Sequence, residues 1–236
     1  PSHAKAVKAL ADLQAAGANR HKVGFVSLWY ERGQAYVTRM LRDAVAVEHE
    51  TFVLARNGGS DDRPLLSSSG EWAIPNLTTH PEYALPRDLV RQWVIDNGLE
   101  VVFFNEEYDP GLVEEARRAG ARTVGIYYWE LFDPAAAPTV NALYDVVLCP
   151  THCSYQRFRE LGITRAEYIP WGVDMAQFRP ADRPANDRVR FFHPAGWGGL
   201  HARRGTEAVI DAFRAANLSS AELLVHTQQG EGVERH

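Results

Sequence analysis

The chain has 236 residues, 45% of them hydrophobic and 23% charged, the balance of an ordinary globular protein with room for one large domain or one domain and part of another. A formal net charge of -5 and a pI near 6.0 argue against a dedicated nucleic-acid binder, which is usually basic. No apolar run approaches the roughly 20 residues that span a bilayer, and the start of the chain lacks the basic, apolar and small regions of a secretory signal. A cytoplasmic protein without a transmembrane segment is expected, with peripheral membrane contact left open.

Residues 1–20 read as an Ala-rich leading helix, with Val7, Leu10 and Leu13 at helical spacing. Strand and helix then alternate: a strand over 23–28, a helix over 34–47 and a strand over 51–55. A long polar loop is expected over 56–81, with Gly58, Gly59 and the Ser67-Ser68-Ser69 run. A helix over 87–97 stops at Gly98, and Val101 opens a strand over 101–104. A helix over 111–119 stopped by Gly120, strands over 123–128 and 146–149, and a helix over 151–161 capped by Thr151 follow. Short apolar strands with intervening helices predict an α/β domain with a parallel sheet covered on both faces.

Pro170, Pro180 and Pro184 then interrupt the periodicity, and the stretch reads as a linker. The alternation restarts with a strand over 190–193, a glycine-rich loop, a helix over 206–216 and a strand over 223–226. The expected domains are therefore 1–170, a linker over 171–188, and the start of a second α/β domain over 189–236. Two strands bury little core, so the chain is expected to be a fragment or to be completed from elsewhere.

Several residue groups carry chemistry. The loop Gly196-Trp197-Gly198-Gly199, followed by Arg203 and Arg204, lies between a strand and a helix start, where backbone N–H groups and the helix dipole favour an anion. The alternative is an exposed loop with two solvated arginines. Gly33 opens the first helix and either lets a ligand approach the backbone or makes a plain turn. Asn105-Glu106-Glu107-Tyr108-Asp109 and Tyr127-Tyr128-Trp129-Glu130 stand at the ends of consecutive strands, where open α/β sheets bind ligands. Glu106 and Glu130 are candidate catalytic carboxylates, and Tyr108 and Trp129 candidate faces for stacking on a sugar ring; core packing is the competing role.

Other signals are weaker. Asp61-Asp62 in the polar loop follow no metal motif, and no metal site or cofactor is expected. Cys149 and Cys153 are too few for a disulfide framework or a zinc site and read as free thiols. His80 and His152 read as ordinary histidines.

The junction Tyr168-Ile169-Pro170-Trp171-Gly172-Val173-Asp174, followed by Phe178-Arg179-Pro180, resembles the Ile-Pro-Asn-Gly-Val-Asp signature of retaining GT-B glycosyltransferases. Arg204-Gly205 through Ala212-Phe213 is similar to the Lys-Gly and Ala-Phe helix that opens the family's donor domain. The segment from Asp145 to Thr151 looks like its strand and Pro-Ser turn. The resemblance implies a GT-B-like Rossmann domain on the acceptor side, followed by an incomplete Rossmann-like donor domain. It implies metal-independent transfer of a hexosyl group from a nucleotide diphosphate sugar to a carbohydrate or glycoconjugate acceptor, with retention. Gly33, Gly196, Gly198, Gly199 and Arg204 would then meet the donor diphosphate.

Three departures qualify it. Trp171 replaces the family Asn, Trp197 stands where a loop Arg is usual, and Trp129-Glu130 occupy the place of a family His. A carbohydrate-binding or scaffolding module on the same fold is the alternative. A Rossmann oxidoreductase is disfavoured, because the first β-α turn lacks Gly-x-Gly-x-x-Gly.

Overall fold

The computed structural model describes residues 20–59, 65–128, 132–173, 175, 178–180, 187–196 and 204–227; the expected leading helix lies outside them. The chain divides into two compact units, Pro1–Gly172 and Val173–His236.

The first unit is built on a seven-stranded sheet. Its strands are β1 (Lys22–Leu28), β2 (Glu50–Arg56), β3 (Leu77–His80), β4 (Val101–Asn105), β5 (Arg122–Ile126), β6 (Val146–Cys149) and β7 (Ala166–Tyr168). They lie in the order β3-β2-β1-β4-β5-β6-β7, and every neighbouring pair is parallel. Its helices are α1 (Gly33–Ala46), α2 (Arg87–Asn97), α3 (Pro110–Arg118), α4 (Ala137–Leu143) and α5 (His152–Glu160).

Alternation along each strand divides the core between the two faces of the sheet. Phe25, Val53 and Ala55 pack with Trp29, Trp72 and the apolar side of α1. Val26, Leu54, Val102 and Phe104 belong to the larger cluster with Trp93, Leu112, Tyr144 and Phe158 from the other helices. Central strands buried on both faces must be apolar at consecutive positions, and Val101-Val102-Phe103-Phe104 meets that requirement. Two glycines give large rings room on this face. A Cβ on Gly24 would stand 2.6 Å from the Trp93 ring, and one on Gly125 would stand 2.8 Å from the Tyr144 ring.

The helix ends follow their local sequence. Asp109 accepts from the Gly111 N–H at 2.9 Å with Pro110 at the first position of α3, and Thr151 accepts from the Ser154 N–H at 3.0 Å. Four elements depart from the expected pattern. The stretch expected as loop holds β3 and a turn of 3₁₀-helix at Gly70–Trp72, which buries Trp72 so that its carbonyl accepts from the Trp29 indole N–H at 2.9 Å. β7 lies just before the junction, and α4 is a short helix with Pro138 in its first turn. β3 and β7 are edge strands with exposed residues, so neither has the apolar run that marks a central strand.

The second unit contains β8 (Val189–Gly196), α6 (Thr206–Ala216) and β9 (Ala221–Thr227), and β8 pairs with β9 in parallel. Phe191 meets Phe213 of α6 edge-on, and Ala195, Thr206 and Leu223 are buried.

Candidate functional site

In the first unit the strand order reverses direction between β1 and β4, the position where open α/β sheets form a crevice beyond the strands' carboxyl ends. Polar side chains tie the two sides of this crevice together. Asn105, at the end of β4, donates through Nδ2 to the Gln34 carbonyl and to Thr38 Oγ1, both at 2.9 Å. Gln34 Nε2 returns a bond to the Asn105 carbonyl at 2.7 Å, and Thr38 donates to Ser27 Oγ at 2.8 Å. Asn105 is buried, yet its Oδ1 has no protein hydrogen-bond partner, an uncommon state for a buried acceptor. Gly33 is exposed at the first position of α1, with open space where a Cβ would stand.

The segment from β4 to α3 is held residue by residue. Glu106 adopts a left-handed conformation with φ of 53°, a costly state for a residue with a Cβ, and its N–H continues the ladder to the Ile126 carbonyl at 2.9 Å. Glu107 is buried in an ion pair with Arg56, at the end of β2, and also accepts from the Asp109 N–H at 2.9 Å. Arg56 lies over the Tyr83 ring, 5.3 Å from its centroid. Tyr108 projects outward, half exposed, with its hydroxyl 3.4 Å from Glu106 Oε1. Burial, then the charge of Glu106, raises the Tyr108 phenol, so it stays protonated and able to donate.

A cavity of about 190 Å³ opens beside this segment. Tyr108, Val113, Tyr127, Phe132, Val140 and Tyr144 form most of its wall. The Tyr127 hydroxyl donates to the Glu107 carbonyl at 2.7 Å and accepts from the Tyr144 hydroxyl at 3.1 Å, so both inner phenols are engaged by the protein. Burial pushes Tyr127 up to about 12 and Tyr144 well above its ordinary value. Asp133 and Thr139 stand at the exposed rim.

The second unit brings Gly196 and Arg204 together. Gly196 ends β8 with φ of 66°, and an added Cβ would lie 3.6 Å from Arg204 Nε. Arg204 is exposed and donates from Nη1 to the Pro194 carbonyl at 3.2 Å. Gly205, with φ of 64°, turns the chain into α6, whose first N–H groups have no partner within the helix. Glu207 stands in that first turn, where its carboxylate already complements the helix dipole. Behind them, His193 Nε2 lies 2.9 Å from the buried Thr206 hydroxyl.

Of the residues singled out from the sequence, Glu106, Tyr108 and Gly33 lie at the carboxyl edge of the first sheet, and Gly196 and Arg204 adjoin each other in the second unit. Trp129, Glu130, Gly198, Gly199, Trp197, Arg203, Asp61 and Asp62 lie outside the described residues. Among the described residues no cluster of three metal-ligating side chains occurs, and no helix is long and apolar enough to cross a membrane. Cys149 and Cys153 are free thiols; burial raises Cys149 to about 11, and Cys153 is exposed. His80 bonds within its own turn to Glu82, and His152 packs against Tyr168. Trp171, one of the departures from the junction signature, stacks parallel to Tyr128 at a centroid distance of 5.9 Å.

Sequence reasoning missed Arg56, Phe132 and Tyr144. Arg56 closes an apolar strand and Tyr144 precedes another; a buried charge next to Asn57 was the one available signal. Asn57 itself is buried and accepts from the Gly59 and Leu65 N–H groups at 2.9 and 2.7 Å, which closes the start of the β2–β3 connection.

The arrangement defines a Rossmann-like α/β fold of the kind found in GT-B glycosyltransferase structures. A glycosyltransferase from Rickettsia africae ESF-5 superposes with a TM-score of 0.61 at 9% identity, covering 89% of this chain and 69% of that one. The S. aureus MnaA–UDP co-structure gives 0.57 at 14%, covering 89% and 63%. A Listeria monocytogenes protein assigned as a UDP-N-acetylglucosamine 2-epimerase gives 0.56 at 9%, covering 90% and 63%. The chain thus spans about two thirds of the length of these proteins, and the likeness is one of fold. No family model matches the chain, and no curated protein sequence matches it.

Proposed function

We propose that the chain belongs to a metal-independent glycosyltransferase that moves a hexosyl group from a nucleotide diphosphate sugar to an acceptor hydroxyl with retention of configuration. The observation that carries this reading is the adjacency of Gly196, Arg204 and the start of α6. A guanidinium grips phosphate through parallel N–H bonds, and the dipole of a helix start favours an anion. Charge that builds on the departing diphosphate is stabilised there, the usual source of the largest single rate effect in such chemistry. Gly198 and Gly199 would add backbone donors, and Gly33 leaves the first β-α turn open to the donor.

The acceptor is assigned to the carboxyl edge of the first sheet. Glu106 and Glu130 are proposed as the carboxylates that orient or deprotonate its hydroxyl, with Tyr108 and Trp129 against its body. The fold likeness to a glycosyltransferase and to a protein solved with UDP supports a nucleotide-sugar substrate. The test is a panel of UDP-, GDP- and ADP-sugars, followed for nucleotide release and for the anomeric configuration of the product. Arg204→Ala is expected to reduce kcat/KM for the donor by about 10–100-fold, the scale of one lost charge-assisted phosphate contact. Unchanged donor kinetics would remove Arg204 from the site.

A second reading has one observation in its favour, a comparable likeness of fold, with a TM-score of 0.56 against 0.61, to the Listeria protein assigned as an epimerase. It predicts an epimerised nucleotide sugar with no acceptor consumed, which NMR of the same reactions would reveal.

A further inference from the structure

We infer that the cavity beside the β4–α3 segment is a binding site for a single apolar ring of benzene to indole size, and that the acceptor presents this ring to it. The role as acceptor subsite rests on the transferase reading; the binding of the ring does not.

Volume comes first. At about 190 Å³ the cavity exceeds the ~150 Å³ of an apolar cavity known to take benzene, and it falls below the usual range for whole drug-sized ligands. One ring with a small substituent fits it.

The chemistry of the wall selects the ring's character. A sugar in a tight site needs unengaged donors and acceptors for its hydroxyls, because each buried hydroxyl left unpaired costs about 1–3 kcal/mol. Here the inner polar atoms are committed elsewhere. Tyr127 Oη donates to the Glu107 carbonyl and accepts from the Tyr144 hydroxyl. The Glu107 carboxylate is taken by Arg56 and the Asp109 N–H, and Asp133 Oδ1 accepts from the Ala135 N–H at 2.9 Å. Most of what faces the space is carbon, from the rings of Tyr108, Tyr127 and Phe132 and the side chains of Val113, Val140 and Leu143, and the remaining polar groups, of Tyr108, Asp133 and Thr139, belong to the exposed residues of the rim.

The aromatic geometry also suits a guest ring. Tyr127 meets Tyr108 edge-on at 6.1 Å and Phe132 edge-on at 5.3 Å, so their faces and edges are already set at the angles in which aromatic groups attract. The half-exposed Tyr108 and the exposed Asp133 and Thr139 keep the site open to solvent, unlike a sealed packing defect. The Tyr108 hydroxyl lies 3.4 Å from Glu106, so a ring seated here leaves the rest of its molecule next to that carboxylate.

The test uses the 236-residue chain with 4-fluorophenol as probe, read by ¹⁹F NMR line broadening, with methyl glucoside as the polar comparator. Saturable binding of 4-fluorophenol that methyl glucoside does not displace is expected. Val140→Phe, which fills the space, is expected to weaken it at least tenfold while the melting temperature stays near that of the parent chain. Should Val140→Phe fail to fold, Thr139→Trp at the exposed rim tests the same point. Absence of saturable binding overturns the inference, as does equal binding by a folded filled variant or displacement by methyl glucoside. With a productive donor, a phenyl-bearing alcohol is expected to show a KM at least tenfold below that of the same alcohol without the ring; equal KM values would remove the acceptor role. Ring binding without release of any nucleotide would remove the transferase reading and leave the ring site standing.

Discussion

Arg56 and Glu107 together fix the segment on which the first unit's site residues stand. Both side chains are buried, and each comes from the carboxyl end of a different strand. A charge left alone in such a place is far costlier than the pair was favourable. Glu107→Gln is therefore expected to lower unfolding free energy by about 3–5 kcal/mol, read from urea unfolding, because it leaves the Arg56 guanidinium buried without a counter-charge. Replacing both residues with apolar ones of similar volume should recover most of that loss, while a loss equal to the single variant's would show that packing rather than charge sets the value. The apolar run Val101-Val102-Phe103-Phe104 was enough to place Glu106 and Tyr108 just beyond the end of β4. It gave no hint of Arg56 as partner, since a residue 51 positions away is brought near only by the β2-β1-β4 order.

At the scale of elements, the wall of the cavity depends on how α4 and the residue after it settle on β5. Gly125 leaves the space in which the Tyr144 ring lies over that strand. Gly125→Ala would push the ring outward, and overpacking of this kind costs about 1–3 kcal/mol. A lower melting temperature together with at least a severalfold weaker binding of 4-fluorophenol is expected; a stable variant with unchanged binding would show that Tyr144 does not shape the cavity. The elements that the sequence revealed are those with strong periodicity or clear stops. α2 begins at Arg87 and ends at Gly98 as expected, since Gly98 takes the left-handed conformation that closes a helix. The elements it hid, β3, α4 and β7, are short and lie at edges or over a cavity, where partners across space rather than local pattern decide the conformation. The cavity was hidden for the same reason, since its lining residues come from three separate stretches between Glu107 and Tyr144.

For the molecule as a whole, the tyrosines of that wall set a limit on alkaline stability. Unfolded tyrosine ionises near pH 10, whereas burial holds Tyr127 up to about 12 and raises Tyr144 well above its ordinary value. The folded state therefore keeps protons that the unfolded state releases, and stability must fall as pH rises across that interval. The contribution is complete below pH 10 and lost on the way through about 12. Urea midpoints are expected to be level from pH 8 to 9.5 and lower at pH 11, with a smaller drop in Tyr127→Phe; an equal drop in both would assign the effect to other groups. The parallel sheet with helices on both faces was legible from the alternation of short apolar strands and amphipathic helices, whereas the hydrogen bonds that tie Asn105 to α1 and the closeness of Gly196 to Arg204 were visible only in three dimensions. The two glycines beneath large rings bear on how such a chain can diverge. Bulk at position 24 is exchanged against bulk at Trp93 and Leu99 together, and bulk at position 125 against Tyr144, so each group shares one fixed allowance of volume. A larger residue at either glycine is expected to be tolerated only with smaller ones at its partners, so that each group drifts in step over evolutionary time.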